Sequence, residues 1–378
     1  MKNIFLFDIR SYTKGIFIYI ALLSLLIIGL FTGNQFNLSA GNGVYLNSPY
    51  TIGFMLGMLS LVIIFLATIF SSQLLFKEWD ARFDLIIFST SVTKRDFATG
   101  RFLSVFILTF IGFLLMATGF AVGQHMRSGQ EIRSGVNMVH YLYPVLAFGI
   151  FNSLLTCSIL YFIAWSTRKK LLVAVGGLLL YVLYMVLLLF SNSPFMAGSL
   201  PQSIEAQRIS ALADPFGISA YFLSSRDFTV LQRNTIMVSL SGYFLLNRLM
   251  VLGLSALFIL SGYKFFPFSE KKPGSAGRKE VKAIEKEIYQ DNDLHVYATP
   301  RFNFLTTWRS VLSFVSTDLT YIFKSTALVA TSILLLFLVG MEMYAEIEKG
   351  IRLPEKYASS GLMATTISEN FHFFGLLL

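Results

Sequence analysis

Apolar residues fall along this chain in unbroken blocks, at 16–32, 51–76, 102–122, 143–165, 171–190 and 244–266, with a seventh at 325–343. A hydrocarbon layer about 30 Å thick is crossed by about 20 helical residues, each rising about 1.5 Å. The blocks have that length, and backbone groups in lipid must bond within their own segment, so each block is predicted to be a helix. The fold class predicted is all-α: a polytopic membrane helical bundle of six spans plus the start of a second bundle. Residues 1–266 hold the six-helix bundle, 267–307 a cytoplasmic Lys/Glu-rich linker, and 308–378 an amphipathic lead-in with the first spans of the second, truncated bundle. An apolar run opening at Asn370 is cut short at Leu378, which predicts that the natural chain continues.

The second bundle is read from a repeat. Asp8-Ile9-Arg10-Ser11-Tyr12-Thr13-Lys14 precedes the first block and Asp318-Leu319-Thr320-Tyr321-Ile322-Phe323-Lys324 precedes the seventh, with acid and base at the same spacing. Both stretches read as amphipathic lead-ins. Internal repetition of this kind recurs in transporters.

Charge supplies orientation. Lys2, Arg10 and Lys14 precede block one; Lys77, Arg82, Lys94, Arg95 and Arg101 separate two from three; Arg168, Lys169 and Lys170 separate four from five; and seven basic residues between Lys264 and Lys286 follow six. All fall on one side, which the positive-inside rule makes cytoplasmic, with the N-terminus inside. The first block is too long for a signal peptide and is followed by further spans. Segments 33–50, 123–142, 191–243 and 344–365 then lie outside, and only the third is sizeable.

Composition agrees: 55% of the 378 residues are hydrophobic and 13% charged, where soluble domains carry about 25% charged residues. The formal charge of +9 is distributed at the ends of apolar blocks, so no concentrated basic surface exists for nucleic acid, which is excluded as a partner. The single cysteine, Cys157, allows no intrachain disulfide and reads as a small packing residue. No phosphate-cradling G-x-x-x-x-G-K-[ST] loop, H-E-x-x-H helix, C-x-x-C pair or G-x-S-x-G elbow occurs, and His125, His140, His295 and His372 are scattered. The expectation is a non-catalytic membrane subunit with no metal and no cofactor of its own. Arg248 and Glu342, near the outer ends of their spans, are read as snorkelling to the interface. Gly176-Gly177 is read as a close helix contact.

The segment between blocks two and three carries most information. Phe83, Ile86 and Ile87 recur at helical spacing among Glu78, Arg82 and Asp84. Such a helix either docks a cytosolic partner or lies on lipid, and periodicity fits both.

The stretch from Arg82 through Ser89, Thr90, Ser91 and Val92, followed by Gly100-Arg101, resembles the segment after the second helix of ABC-2 type transporter permeases. There an apolar turn with charged flanks leads into a small-Thr-Pro-Val element and Gly-Lys or Gly-Arg; here Ser91 replaces the usual proline. The resemblance implies that Glu78, Arg82, Phe83, Asp84, Ile86, Ile87, Ser89, Thr90 and Val92 couple the bundle to a cytosolic ABC ATPase that holds Mg-ATP. It implies a connecting helix with Phe7, Asp8, Tyr12 and Lys14, and a second one with Asp318, Tyr321 and Lys324. Asp214, Pro215, Phe216 and Gly217 resemble a recurrent external-loop element of long bacterial permeases, some of them fused to an M1-type metallopeptidase. Expected partners are the ATPase, membrane lipid, and a second permease half or second copy; the expected location is the bacterial inner membrane. The alternative is the membrane anchor of a fused enzyme. An ion-driven carrier is disfavoured, because the spans read as nearly free of charge.

Overall fold

The computed structural model describes residues 2–35, 43–80, 92–127, 137–190 and 204–266, together with Ser313 and Ser316. Among these residues every regular element is helical, and six helices are long and apolar enough to cross a membrane. The expected linker and second bundle, including Asp318, Tyr321, Lys324 and Glu342, lie outside the described residues, apart from Ser313 and Ser316.

Helix α1 (Lys2–Tyr12) precedes span one, α2 (Ile16–Gln35). Span two is α3 (Pro49–Leu59) continued by α4 (Val62–Leu74), with a tight turn at Ser60-Leu61, and ends in the short α5 (Lys77–Asp80). Ser48 caps its start by accepting from the Thr51 amide, and Pro49 fits the first turn, where no intrahelical donor is needed. Span three, α6 (Lys94–Met126), begins earlier than its apolar block, because Thr93 caps it through the Asp96 amide. Span four is α7 (Met138–Pro144), a π-turn over Val145–Ile150, and α8 (Phe151–Thr167); Arg168 ends it in the left-handed region at φ 53°. Spans five and six are α9 (Lys170–Phe190) and α13 (Gly242–Phe265). Between them lie α10 (Ile204–Ala213), α11 (Ile218–Ser224) and α12 (Val230–Thr235).

Spans one and three pack most extensively. Gly29 and Gly33 face Gly119 and Gly123, and a methyl group on any of the four would strike a carbonyl oxygen of the other helix. The four-residue spacing on both helices lets the backbones meet directly. Gly177 lies against the side chain of Thr68 of span two, where a methyl group would collide, and span five runs on unbroken, as expected of a packing glycine pair. Cys157 is fully buried beside Thr109.

The basic end of the bundle is closed by aromatic rings. Trp165 stacks on Phe266 at 3.8 Å, Phe97 stacks on Phe266 at 5.8 Å, and Trp79 meets the same ring edge-on at 6.2 Å. At the opposite end Asn234 clamps the entry to span two, accepting from the Tyr45 amide at 2.9 Å and donating to the Gly43 carbonyl at 3.0 Å.

Candidate functional site

Two buried polar clusters stand out, one at each end of the bundle. At the basic end, α1 is amphipathic. Leu6 and Phe7 are exposed, while Asp8 faces inward and is fully buried. Arg101 of span three donates to the Asp8 carboxylate and pairs with Glu78 of α5; both partners are almost without solvent contact. The Ser104 hydroxyl lies 3.1 Å from the second Asp8 oxygen, and the Phe97 ring sits against the Arg101 guanidinium at 5.4 Å. Lys77 donates to Ser11 at 2.7 Å and the Tyr12 hydroxyl to Gln73, so α1 is also tied to the end of span two. Burial pushes the Asp8 carboxyl above its ordinary value, with Arg101, Ser104 and Lys77 pulling the other way. Burial likewise lowers the Lys77 ammonium and lifts the Tyr12 phenol to about 12.

The structure therefore brings together Asp8, Tyr12 and Glu78 of the sequence-derived set and adds Arg101 and Ser104. Lys14 is exposed beyond the end of α1, and Val92 packs against the core. Arg82, Phe83, Asp84, Ile86, Ile87, Ser89 and Thr90 lie outside the described residues. The sequence marks Arg101 as one of the basic residues between spans and as part of the Gly100-Arg101 pair, not as a buried ion-pair partner. Its burial follows from the start of span three at Lys94, which places it two turns inside the helix.

At the other end, residues 204–224, between spans five and six, fold into the bundle as a helical hairpin of α10 and α11. Asp214 at its tip accepts from the Phe216 amide at 2.8 Å and the Ser219 amide at 2.6 Å, holding the turn and capping α11. Gly217 takes φ 75° and lies so close to Arg248 that any side chain would collide with the guanidinium. Phe216 packs on Tyr184 of span five at 4.6 Å, and Pro215 is half-buried. Asn247 donates to the carbonyls of Ala211, Leu212 and Asp214, and its own oxygen receives the Arg248 fork. Arg248 also donates to Asn152 of span four at 2.9 Å, and Asn152 donates to Ser60 of span two at 2.8 Å.

Arg248 does not snorkel: it is 1% exposed, enclosed by the rings of Phe148, Phe151 and Phe244. The reason is local. A ready acceptor in Asn247 and the inserted hairpin give the guanidinium partners inside, so reaching the interface gains nothing. Ser60, Asn152, Tyr184 and Arg248 lie fourteen to seventeen residues from the basic ends of their helices. At about 1.5 Å per residue that is about 21–26 Å, within a hydrocarbon layer of about 30 Å. The spans thus contain a polar constellation, contrary to the sequence reading, and its members come from four spans and a loop.

No group of three or more His, Cys, Asp or Glu side chains that could hold a metal ion occurs among the described residues. No protein-family model, curated protein or solved structure matches this chain. The chain is a helical bundle with six helices able to cross a membrane.

Proposed function

We propose that the chain is the permease subunit of an ABC-2 type transporter in a bacterial inner membrane, with its N-terminus cytoplasmic, moving a substrate while a separate ATPase supplies the work. The observation that carries this reading is the buried Asp8–Arg101–Glu78 cluster. It joins the lead-in helix, span three and the first turn of the segment 78–92, so force applied to that segment reaches two spans directly. A partner gripping residues 78–92 would move the bundle rather than a loose loop, and the chain itself would make no covalent change.

The polar cluster at membrane depth supports the same reading. Ionisable groups there are costly and often mark pathways or moving parts. The test is a pull-down with the full chain as bait, probed for a bound Walker-type ATPase. Alanine at Phe83, Asp84 and Ile87 should release it and abolish any stimulation of its ATP hydrolysis. Retention of both would sink the assignment.

A further inference from the structure

The half of span three away from the basic end bears a groove that neither polar cluster uses. Leu114, Ala117, Thr118, Ala121, Val122 and His125 form one wall; Met138, Tyr141, Leu142 and Val145 form the other, and the cavity measures about 330 Å³. Two features open it. Ala117 and Ala121 leave space where longer side chains would fill it, and Pro144 followed by the π-turn reroutes span four just where the groove ends. π-turns inside helices are frequent at functional sites.

The lining selects its occupant. The Thr118 hydroxyl is used on the Leu115 carbonyl at 2.7 Å, and the Tyr141 hydroxyl on Gln124 at 2.8 Å. Both hydroxyl protons are thus spent within the chain, and apart from these two groups and His125 the walls are apolar. Val122, Met138 and Leu142 are exposed, so the groove opens sideways. From Leu114 to His125 it runs eleven residues, about 17 Å, close to the ~15 Å depth of one leaflet. His125, exposed where span three ends, adds a polar group at the interface end of an otherwise apolar channel.

We infer that this groove seats one acyl chain of a phospholipid from the leaflet opposite the basic end, with the headgroup beside His125. The inference does not rest on the transport reading. The check is native mass spectrometry of the full chain in detergent, stripped of annular lipid and titrated with palmitoyl lysophosphatidylglycerol. Expected is one discrete, saturable lipid adduct, lost in Ala121→Phe and in Leu142→Phe, which fill the groove from opposite walls, and kept in Ala121→Ser. Two fillings guard against one variant failing to fold, since Leu142 is half exposed. No saturable adduct on the wild-type chain, or equal adducts on both filled variants, would overturn the inference. Transport measurements play no part in this outcome.

Discussion

Arg101 of span three donates to the carboxylate of Asp8, ninety-three residues earlier in the chain, at a point closed to solvent. The contact fixes the lead-in helix against the bundle, and Glu78 on the other side of the same guanidinium fixes the exit from span two. Removing the cation strands two buried carboxylates, whereas removing one acid leaves a pair.

Arg101→Ala is therefore expected to cost about 3–5 kcal/mol, the range for breaking a buried pair. Asp8→Asn, which keeps the shape and one acceptor, should cost clearly less. Thermal unfolding in detergent, read by a thiol-reactive dye on the buried Cys157, ranks the two. Equal losses would show that the cluster is not organised around Arg101.

The same cluster sets a pH dependence. Burial raises the Asp8 carboxyl above its ordinary 3.8, so between 3.8 and the raised value the folded state holds a proton that the unfolded state releases. Stability from this group is full below 3.8 and declines as pH rises through the raised value. The difference in unfolding temperature between wild type and Asp8→Asn should shift in favour of the variant as pH rises from 4, then level off. A difference independent of pH would refute the burial argument.

The glycine seam makes a paired prediction. Gly119→Ala or Gly123→Ala sets a methyl against a carbonyl oxygen of span one. Overpacking of this kind costs about 1–3 kcal/mol. Gly253 of span six has open space around its Cβ position, so Gly253→Ala should be neutral or gain up to about 1 kcal/mol from helix propensity. Side-by-side melting curves decide the point.

On span six beneath the hairpin, Arg248→Lys keeps the charge but loses the planar fork shared by Asn247 and Asn152. A loss of about 1–3 kcal/mol is expected, with the hairpin freed from the bundle. Limited proteolysis within residues 204–224 should be faster in the variant. An unchanged cleavage rate would mean that Arg248 does not hold the hairpin.

The spans themselves were legible because lipid imposes one rule on every position: about twenty apolar residues, all helical. Residues 16–35, 170–190 and 242–265 match their apolar blocks closely for this reason. Asp8 was visible as an acid in an amphipathic lead-in, and Asp214 as part of a stretch resembling an external-loop element. Their partners were not, because a lone Arg101 or Arg248 at the edge of a block looks the same whether it faces water, headgroups or a neighbouring helix. Ser104, one turn past Arg101, was a usable hint, as were the glycines at 29, 33, 119 and 123, whose matched spacing signals a helix pair. Asn152 and Ser60 carried no such signal. Their role appears only when the hairpin between spans five and six folds in among them.

The glycine contact also bears on how the protein responds to its surroundings. With backbones in direct contact, spans one and three behave as a single thick rod, and a bilayer that thins or thickens tilts them together. Span six, whose lipid-facing surface is lined by Leu246, Leu249, Leu257 and Leu260, is gripped chiefly by span four and the inserted hairpin. The seam thus couples the tilt of spans one and three to each other, while span six follows span four and the hairpin on which it packs.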